Sequence, residues 1–238
     1  MQIQHSCILV TGASRGLGFE IASILARRGA RLVITARQAP ALEKAAAALR
    51  KHTDVVALAA DVSQSAEEIV AQGMARFGRI DALINNASEL GPSPMPALDS
   101  LSWEALERIL RVNAVAPLHL IQLVLPGMRK QRQGTIVNIT SDAGVNAYPG
   151  WGGYGASKAA LEHLSRTLAL ELEGSGVRVL VVDPGDMNTA MHALAEPGVD
   201  LSNLPHPRQV APAIVELLEN ETLGALRYQA QELTHAVS

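Results

Sequence analysis

The sequence predicts an α/β fold: a doubly wound parallel sheet in a single domain. Three observations lead there. Short apolar runs rich in Val and Ile recur along the chain, at Ile8–Val10, Arg31–Thr35, Val55–Ala59, Ala82–Ile84, Thr135–Ile139 and Val177–Val182. Near-continuous runs of this kind mark strands buried on both faces, as a parallel sheet requires. Longer segments with helical spacing separate them, and such alternation places helices on both sides of the sheet. Finally, 238 residues, 48% hydrophobic and 18% charged, suffice for one sizeable core, since a domain takes roughly 100–200 residues.

Each element follows from local chemistry. After the first strand, Leu17, Ile21, Ile24 and Leu25 fall on one helical face, and Gly29 closes that helix as a C-cap. Further helices are expected over Pro40–His52, Ser65–Phe77, Ser102–Met128, Gly155–Glu173 and Pro207–Glu219. The alanine-rich stretch Ala39–Ala48 is good helix composition. The right-handed crossover rule makes the topology Rossmann-type. Two proline-containing excursions, Ser88–Ser100 and Asp186–Pro207, follow expected strands and so sit at the carboxyl edge, where open α/β sheets bind ligands. The second, about 186–207, is the expected substrate loop. No internal repeat or low-complexity linker divides residues 1–238.

Composition excludes several classes. Twenty Lys plus Arg against 23 Asp plus Glu give a net charge of −3, with no basic footprint for nucleic acid or an anionic membrane. The single cysteine, Cys7, permits neither an internal disulfide nor a multi-cysteine metal site, and reads as inert core. No metal-ligand spacing surrounds His192 or His206, so no metal is expected. The first apolar run, Cys7–Val10, is far short of the about 20 residues that span a membrane. A reducing cytoplasm is the expected compartment.

Val10-Thr-Gly-Ala-Ser-Arg-Gly-Leu-Gly18 joins the first strand to the first helix. Its glycines, 12, 16 and 18, allow positive φ and close backbone approach. The helix amino terminus then offers N–H groups and a positive dipole end to a phosphate. Gly12, Ser14, Arg15, Gly16, Leu17 and Gly18 are therefore candidate coenzyme contacts. A site for NAD usually carries an acid at the end of strand two, for the ribose 2′-OH. Here Ala36 stands there, followed by Arg37, and no acid occurs between Glu20 and Glu43. With Arg15 in the turn, this pattern favours the 2′-phosphate of NADP(H). Asp61-Val62, ending strand three, is a candidate adenine contact; Asp61 is equally suited to capping the next helix.

Tyr154 and Lys158 lie four apart and share one helical face. At the same offset Tyr148 has Gly152 and Tyr228 has Glu232, so neither rival tyrosine has a cationic partner there. A nearby ammonium favours the phenolate, lowering the phenol's pKa and suiting Tyr154 to general acid/base work. Ser141 emerges at the carboxyl edge just before that helix, and Asn85-Asn86-Ala87 ends strand four at the same edge. Asn113 interrupts an otherwise apolar helix; a buried Asn must find backbone or water partners.

In this combination and order, the residues make the chain resemble the classical short-chain dehydrogenases/reductases, from about Cys7 to Thr189. The resemblance implies Tyr154 as general acid/base, with Lys158 holding the nicotinamide ribose and lowering the pKa of Tyr154. It implies Ser141 on the substrate carbonyl or hydroxyl, and Asn113 anchoring a water in the proton relay. Asn86, Ala87, Pro184, Gly185 and Thr189 become coenzyme contacts, joining Asp61 and Val62. The implied reaction is hydride transfer between NADP(H) and a small-molecule carbonyl or alcohol. A catalytically silent nucleotide-binding regulator on the same fold is the competing reading. Within enzymes, Gly150-Trp-Gly-Gly-Tyr154 is vaguely similar to pterin-reducing members; Trp151 either stacks on a flat substrate or, more simply, packs.

The family usually has Gly where this chain has Ser88, so a strained turn is expected there. Its glycine-rich carboxyl-terminal ending has no counterpart. The expected assembly is a homodimer or homotetramer, paired through the Ser102–Met128 and Gly155–Glu173 helices.

Overall fold

The computed structural model describes residues 1–220 and 226–234. Seven parallel strands form one sheet: β1 (Cys7–Thr11), β2 (Arg31–Ala36), β3 (Val55–Ala59), β4 (Ala82–Asn85), β5 (Gly134–Ile139), β6 (Val177–Asp183) and β7 (Arg227–Gln229). Their order is β3-β2-β1-β4-β5-β6-β7. The chain therefore reverses direction across the sheet between β1 and β4, and this switch point is where such sheets open a crevice for a ligand. All six strands read from the sequence are present. At three residues, β7 was too short to announce itself by pattern.

The alternation of β1 explains the two-sided core. Ile8 and Val10 face the layer formed by α1 (Gly16–Arg27), α2 (Ala39–Leu49) and α8 (Pro207–Glu219). Cys7 and Leu9 face α3 (Ala66–Phe77) and α5 (Ala116–Gln131). All four side chains are fully buried, and each fully buried aliphatic contributes about 1.5–3 kcal/mol. Burial pushes the Cys7 thiol up to about 12, with Asp81 adding to the effect, so it is an inert core residue.

The helix expected over Ser102–Met128 is not continuous. It comprises α4 (Trp103–Leu110), one π-helical turn (Arg111–Val115), and α5. Ser102 starts it as N-cap, its hydroxyl accepting from the Ala105 N–H at 3.2 Å. The run Trp103–Gln131 is long and apolar enough to cross a membrane by composition, with mean hydropathy 1.5, but 56% of that window is buried. Leu120, Ile121, Val124 and Met128 of α5 pack against the sheet, so the run is a core helix.

The helix α6 (Gly152–Glu171) begins three residues earlier than its pattern indicated. Within the substrate loop lies a short α7 (Ala190–Ala195), and α9 (Ala230–Thr234) follows β7. Strand β3 stops at Ala59, two residues before Asp61. The strain expected at Ser88 is absent: His5 and Arg132 are the non-glycine residues with positive φ among those described. Serine therefore sits on ordinary backbone there.

Candidate active site

The carboxyl edge of the sheet collects the chemistry. Thr11, at the end of β1, staples the glycine turn to the end of β4: its hydroxyl accepts from the N–H groups of Asn86 and Ala87, both at 3.0 Å. Asn86 returns the contact, donating from Nδ2 to the carbonyls of Thr11 (2.9 Å) and Gly12 (3.3 Å). A Cβ at Gly18 would lie 2.5 Å from Asn86 Nδ2 and 2.6 Å from the Gly12 carbonyl oxygen, so only glycine allows this approach. Gly16 has φ +58° and open space where a Cβ would stand, directly at the start of α1. No side chain caps that helix. Its first N–H groups thus face a cradle suited to a pyrophosphate. Ser14 and Arg15 precede the helix in the same turn, and Leu17 packs into the core beneath it.

Tyr154 and Lys158 lie one turn apart on α6, both buried. The Lys158 Nζ donates to the Ile139 carbonyl at 2.9 Å and lies 5.4 Å from the centroid of the Tyr154 ring. The expectation that the ammonium lowers the phenol's pKa is not met here. Burial dominates and raises Tyr154 well above the ordinary phenol value, although a hydrogen bond with Ser88 works against it. Burial also depresses Lys158 to about 8, opposed by Asp183. The same desolvation therefore favours the neutral form of both groups.

Ser141 follows β5 and donates to Asp142 Oδ1 at 3.0 Å, while Asp142 Oδ2 accepts from the Tyr148 hydroxyl at 2.6 Å. Trp151 packs edge-on between Tyr148 and Tyr154, with ring centroids 6.4 and 5.8 Å away. Asn113 occupies the π-helical turn. Its Nδ2 donates to the Glu89 carbonyl and to Ser157 Oγ, both at 2.9 Å. Its Oδ1 accepts from the Glu89 N–H (2.8 Å) and the Ser88 hydroxyl (3.2 Å). Both donors and both acceptor positions of the side chain are thus taken by protein groups. The side chain pins the Ser88–Glu89 segment.

At the far side of the switch point, Arg37 does not project freely. It pairs with Glu89 Oε2 at 2.9 Å, and Arg108 of α4 holds Glu89 Oε1 at 2.6 Å. Arg15 remains exposed. Asp61 caps its own turn, accepting from the N–H and hydroxyl of Ser63 at 2.9 and 2.7 Å, whereas Ser65 stands at the N-cap of α3. Burial pushes its carboxyl up, but the Ser63 contacts, Arg37 and Arg108 together hold it below the usual carboxylate value. Val62 beside it is buried.

After β6, Gly185 takes φ +70°, and a Cβ there would lie 2.5 Å from Gln231 Nε2. Gln231 donates to the carbonyls of Pro184 (3.1 Å) and Asp186 (2.8 Å), and Asp183 Oδ1 accepts from the Gly185 N–H at 2.9 Å. Thr189, expected at the coenzyme, caps α7 by accepting from the His192 N–H at 3.1 Å. His206 caps α8 in the same way, at 3.2 Å from the Arg208 N–H.

A glycine cradle at the switch point, with a buried tyrosine and lysine one helical turn apart beside it, is the arrangement the resemblance leads one to expect. The family model for short chain dehydrogenases matches residues 6–199. The chain belongs to that family. This dehydrogenase is 32% identical over 233 residues to the 3-oxoacyl-acyl-carrier-protein reductase FabG of Thermotoga maritima, covering 93% of this chain and 94% of that one. A short chain dehydrogenase structure from Pseudomonas syringae superposes with TM-score 0.87 at 32% identity, covering 97% and 96% of the two chains. Two further similar structures differ in coenzyme. A metagenomic short-chain oxidoreductase in complex with NADP has TM-score 0.81 at 28% identity, over 96% of this chain and 98% of that one. An NAD⁺-bound xylitol dehydrogenase has TM-score 0.84 at 25% identity, over 96% and 98%. The chain is thus an oxidoreductase of a family that takes a nicotinamide coenzyme.

Several residues of this dehydrogenase's site left no mark in the sequence reading. Ser157, fully buried, links Asn113 to the Tyr154 carbonyl, to which it donates at 2.6 Å. Its place beside Lys158 was the available signal. Glu162, one turn beyond Lys158, accepts from Thr140, Arg166 and Arg227 at 2.8, 3.0 and 3.1 Å. Its spacing was a signal too, but Arg227, Gln231, Glu89 and Arg108 had none, because their partners are remote in sequence.

Proposed function

We propose that this dehydrogenase interconverts a small-molecule carbonyl and alcohol using NADP(H). The observation that carries the reading is the buried Tyr154–Lys158 pair, placed beside the Ser141 end of β5 and held against Asn113 through Ser157. The cradle at Gly12, Gly16 and Gly18 fits a dinucleotide pyrophosphate, with Ser14, Asn86 and Ala87 at its rim and Pro184–Gly185 towards the nicotinamide. The bound coenzyme supplies or accepts the hydride. Tyr154, kept neutral by burial, gives its proton to the carbonyl oxygen. Ser141 turns its hydroxyl from Asp142 to that oxygen. Lys158 holds the ribose and returns a proton to the tyrosine side. Hydride transfer from NADPH to a panel of carbonyls is the test; absence of turnover across the panel, with coenzyme bound, favours the silent regulator.

The coenzyme choice rests on the missing acid at Ala36 and on Arg37 and Arg15 together, with Arg37 the larger contributor. A charge-assisted hydrogen bond is worth about one to two decades of affinity, towards the low end at an exposed site. Arg37→Ala therefore raises KM for NADPH about tenfold and leaves KM for NADH nearly unchanged. Ala36→Asp moves preference towards NADH, through attraction for the 2′-OH and repulsion of the phosphate. Steady-state kinetics with both coenzymes decide it: a wild-type preference for NADH, or an equal effect of Arg37→Ala on both, overturns the assignment.

Assembly is proposed through the outer faces of α5 and α6. Leu118, Ile121, Leu161, Leu164 and Leu168 line an apolar groove between these helices. Of these, Leu164 is 36% exposed. A two-fold copy of the chain would cover this surface. Light scattering at micromolar concentration gives at least twice the 25.2 kDa chain mass; the chain mass alone refutes it.

A further inference from the structure

Three elements converge beside the switch point. Arg37 comes from the end of β2, Glu89 from the segment after β4, and Arg108 from α4. One carboxylate holds both guanidinium groups: Glu89 Oε2 accepts from Arg37 at 2.9 Å, and Oε1 accepts from Arg108 at 2.6 Å. The two arginines also act together on Asp61, at the start of the turn after β3. The cluster differs from an ordinary surface bridge in one respect. The Glu89 side chain is only 16% exposed, against 55% and 56% for its arginines. Its backbone is fixed at both ends, because Asn113 bonds its N–H (2.8 Å) and its carbonyl (2.9 Å). The carboxylate is thus presented from an immobile base, while the arginines arrive on long, solvated side chains.

Two guanidinium groups sharing one anion form a ready receptor for another. A phosphate offers the same planar pair of acceptor oxygens with more charge, and arginine forks suit both anions. We propose that Glu89 and Arg108 complete the coenzyme-selecting site: the Glu89 carboxylate occupies Arg37 and Arg108 as an internal stand-in for the 2′-phosphate, which binds by displacing it. The proposal rests on the NADP(H) reading, which already uses Arg37 and Arg15, and adds to it a third arginine, Arg108, and a built-in competitor. The competitor makes selection an exchange of anions. A nucleotide without the phosphate gains nothing from breaking the Glu89 pairs, so it leaves them in place.

The test uses the full chain and two probes, 2′,5′-ADP and 5′-AMP, titrated calorimetrically. Removing the competitor's charge in Glu89→Gln tightens 2′,5′-ADP about tenfold, while 5′-AMP changes less than about twofold. Arg108→Met weakens 2′,5′-ADP about fivefold or more and spares 5′-AMP. Thermal melting of each variant verifies folding, and the two opposite signs cannot both arise from a damaged fold. If the wild type prefers 2′,5′-ADP but neither variant alters that preference, the proposal is overturned and the NADP(H) reading stands. Weaker binding of 5′-AMP to Glu89→Gln also overturns it, since Glu89 would then hold the ribose hydroxyls directly. A wild type that binds both probes equally overturns the NADP(H) reading, and this proposal with it.

Discussion

Replacing Tyr154 by Phe lowers kcat by about 10²–10⁴-fold, the usual contribution of a general acid, with KM for the coenzyme little changed. The substitution removes one hydroxyl and nothing else. The ring keeps its edge contact with Trp151, at 5.8 Å and 72°, and its buried place on α6, so packing and stability persist. The loss is therefore chemical. Burial already holds the phenol protonated, so the wild-type residue can serve as a donor across the neutral range. Without it, neither Ser141 nor Lys158 replaces the donor: Ser141 is a much weaker acid, and Lys158 is held by the Ile139 carbonyl. Single-turnover kinetics separate this loss from binding. A kcat within about threefold of wild type removes Tyr154 from the chemistry, because that is far below the contribution of a general acid.

Replacing Arg227 by Met destabilises the fold by about 3–5 kcal/mol, the cost of leaving buried charge unpaired. Arg227 reaches Glu162 at 3.1 Å and Asp183 at 3.0 Å, and their side chains are 3% and 5% exposed. It joins β7 to α6 and to the end of β6, so it braces the helix that carries Lys158 and the strand that leads into Pro184–Gly185. Glu162 keeps Arg166 and Thr140 as partners, whereas Asp183 keeps the Gly185 N–H. Burial already raises Asp183 above the ordinary carboxylate value, despite the Gly185 contact and Arg227. Loss of the arginine raises it further. A carboxyl whose folded pKa is raised stabilises the fold at low pH and loses that contribution as pH rises through it. The variant's deficit is accordingly smaller near pH 5 than near pH 8. Urea unfolding at both values checks the size and the sign; a loss under about 1 kcal/mol, or one independent of pH, refutes the role.

The sequence was most legible where the chemistry is local. The apolar runs from Ile8–Val10 to Val177–Val182 became strands because burial on both faces is written into each run. Tyr154 and Lys158 were found because four residues along a helix make one face. The glycines at 12, 16 and 18 were found because the turn needs them: Gly12 and Gly16 take positive φ, and a Cβ on Gly18 would lie 2.5 Å from Asn86 Nδ2. What misled was also local reasoning. Family habit at Ser88 suggested strain where the backbone has none. The Tyr154–Lys158 spacing suggested a lowered phenol pKa, but spacing carries no information on desolvation, and desolvation dominates.

The sequence by itself determined the sheet-and-helix class, the position of the glycine turn and the pairing of Tyr154 with Lys158 on one helix. Each depends on a periodicity or motif shorter than about two helical turns. Only the tertiary structure decided what those residues touch. Arg37 meets Glu89 across 52 residues, and Arg227 meets Glu162 across 65. Asn113 meets Ser157 across 44, from a π-helical turn inside the run Ser102–Met128, which reads as one helix from sequence. Such contacts form where separate strands end at one edge of a folded sheet. Their partners are chosen by crossover connections and by the reach of charged side chains, and neither leaves a repeat in the chain.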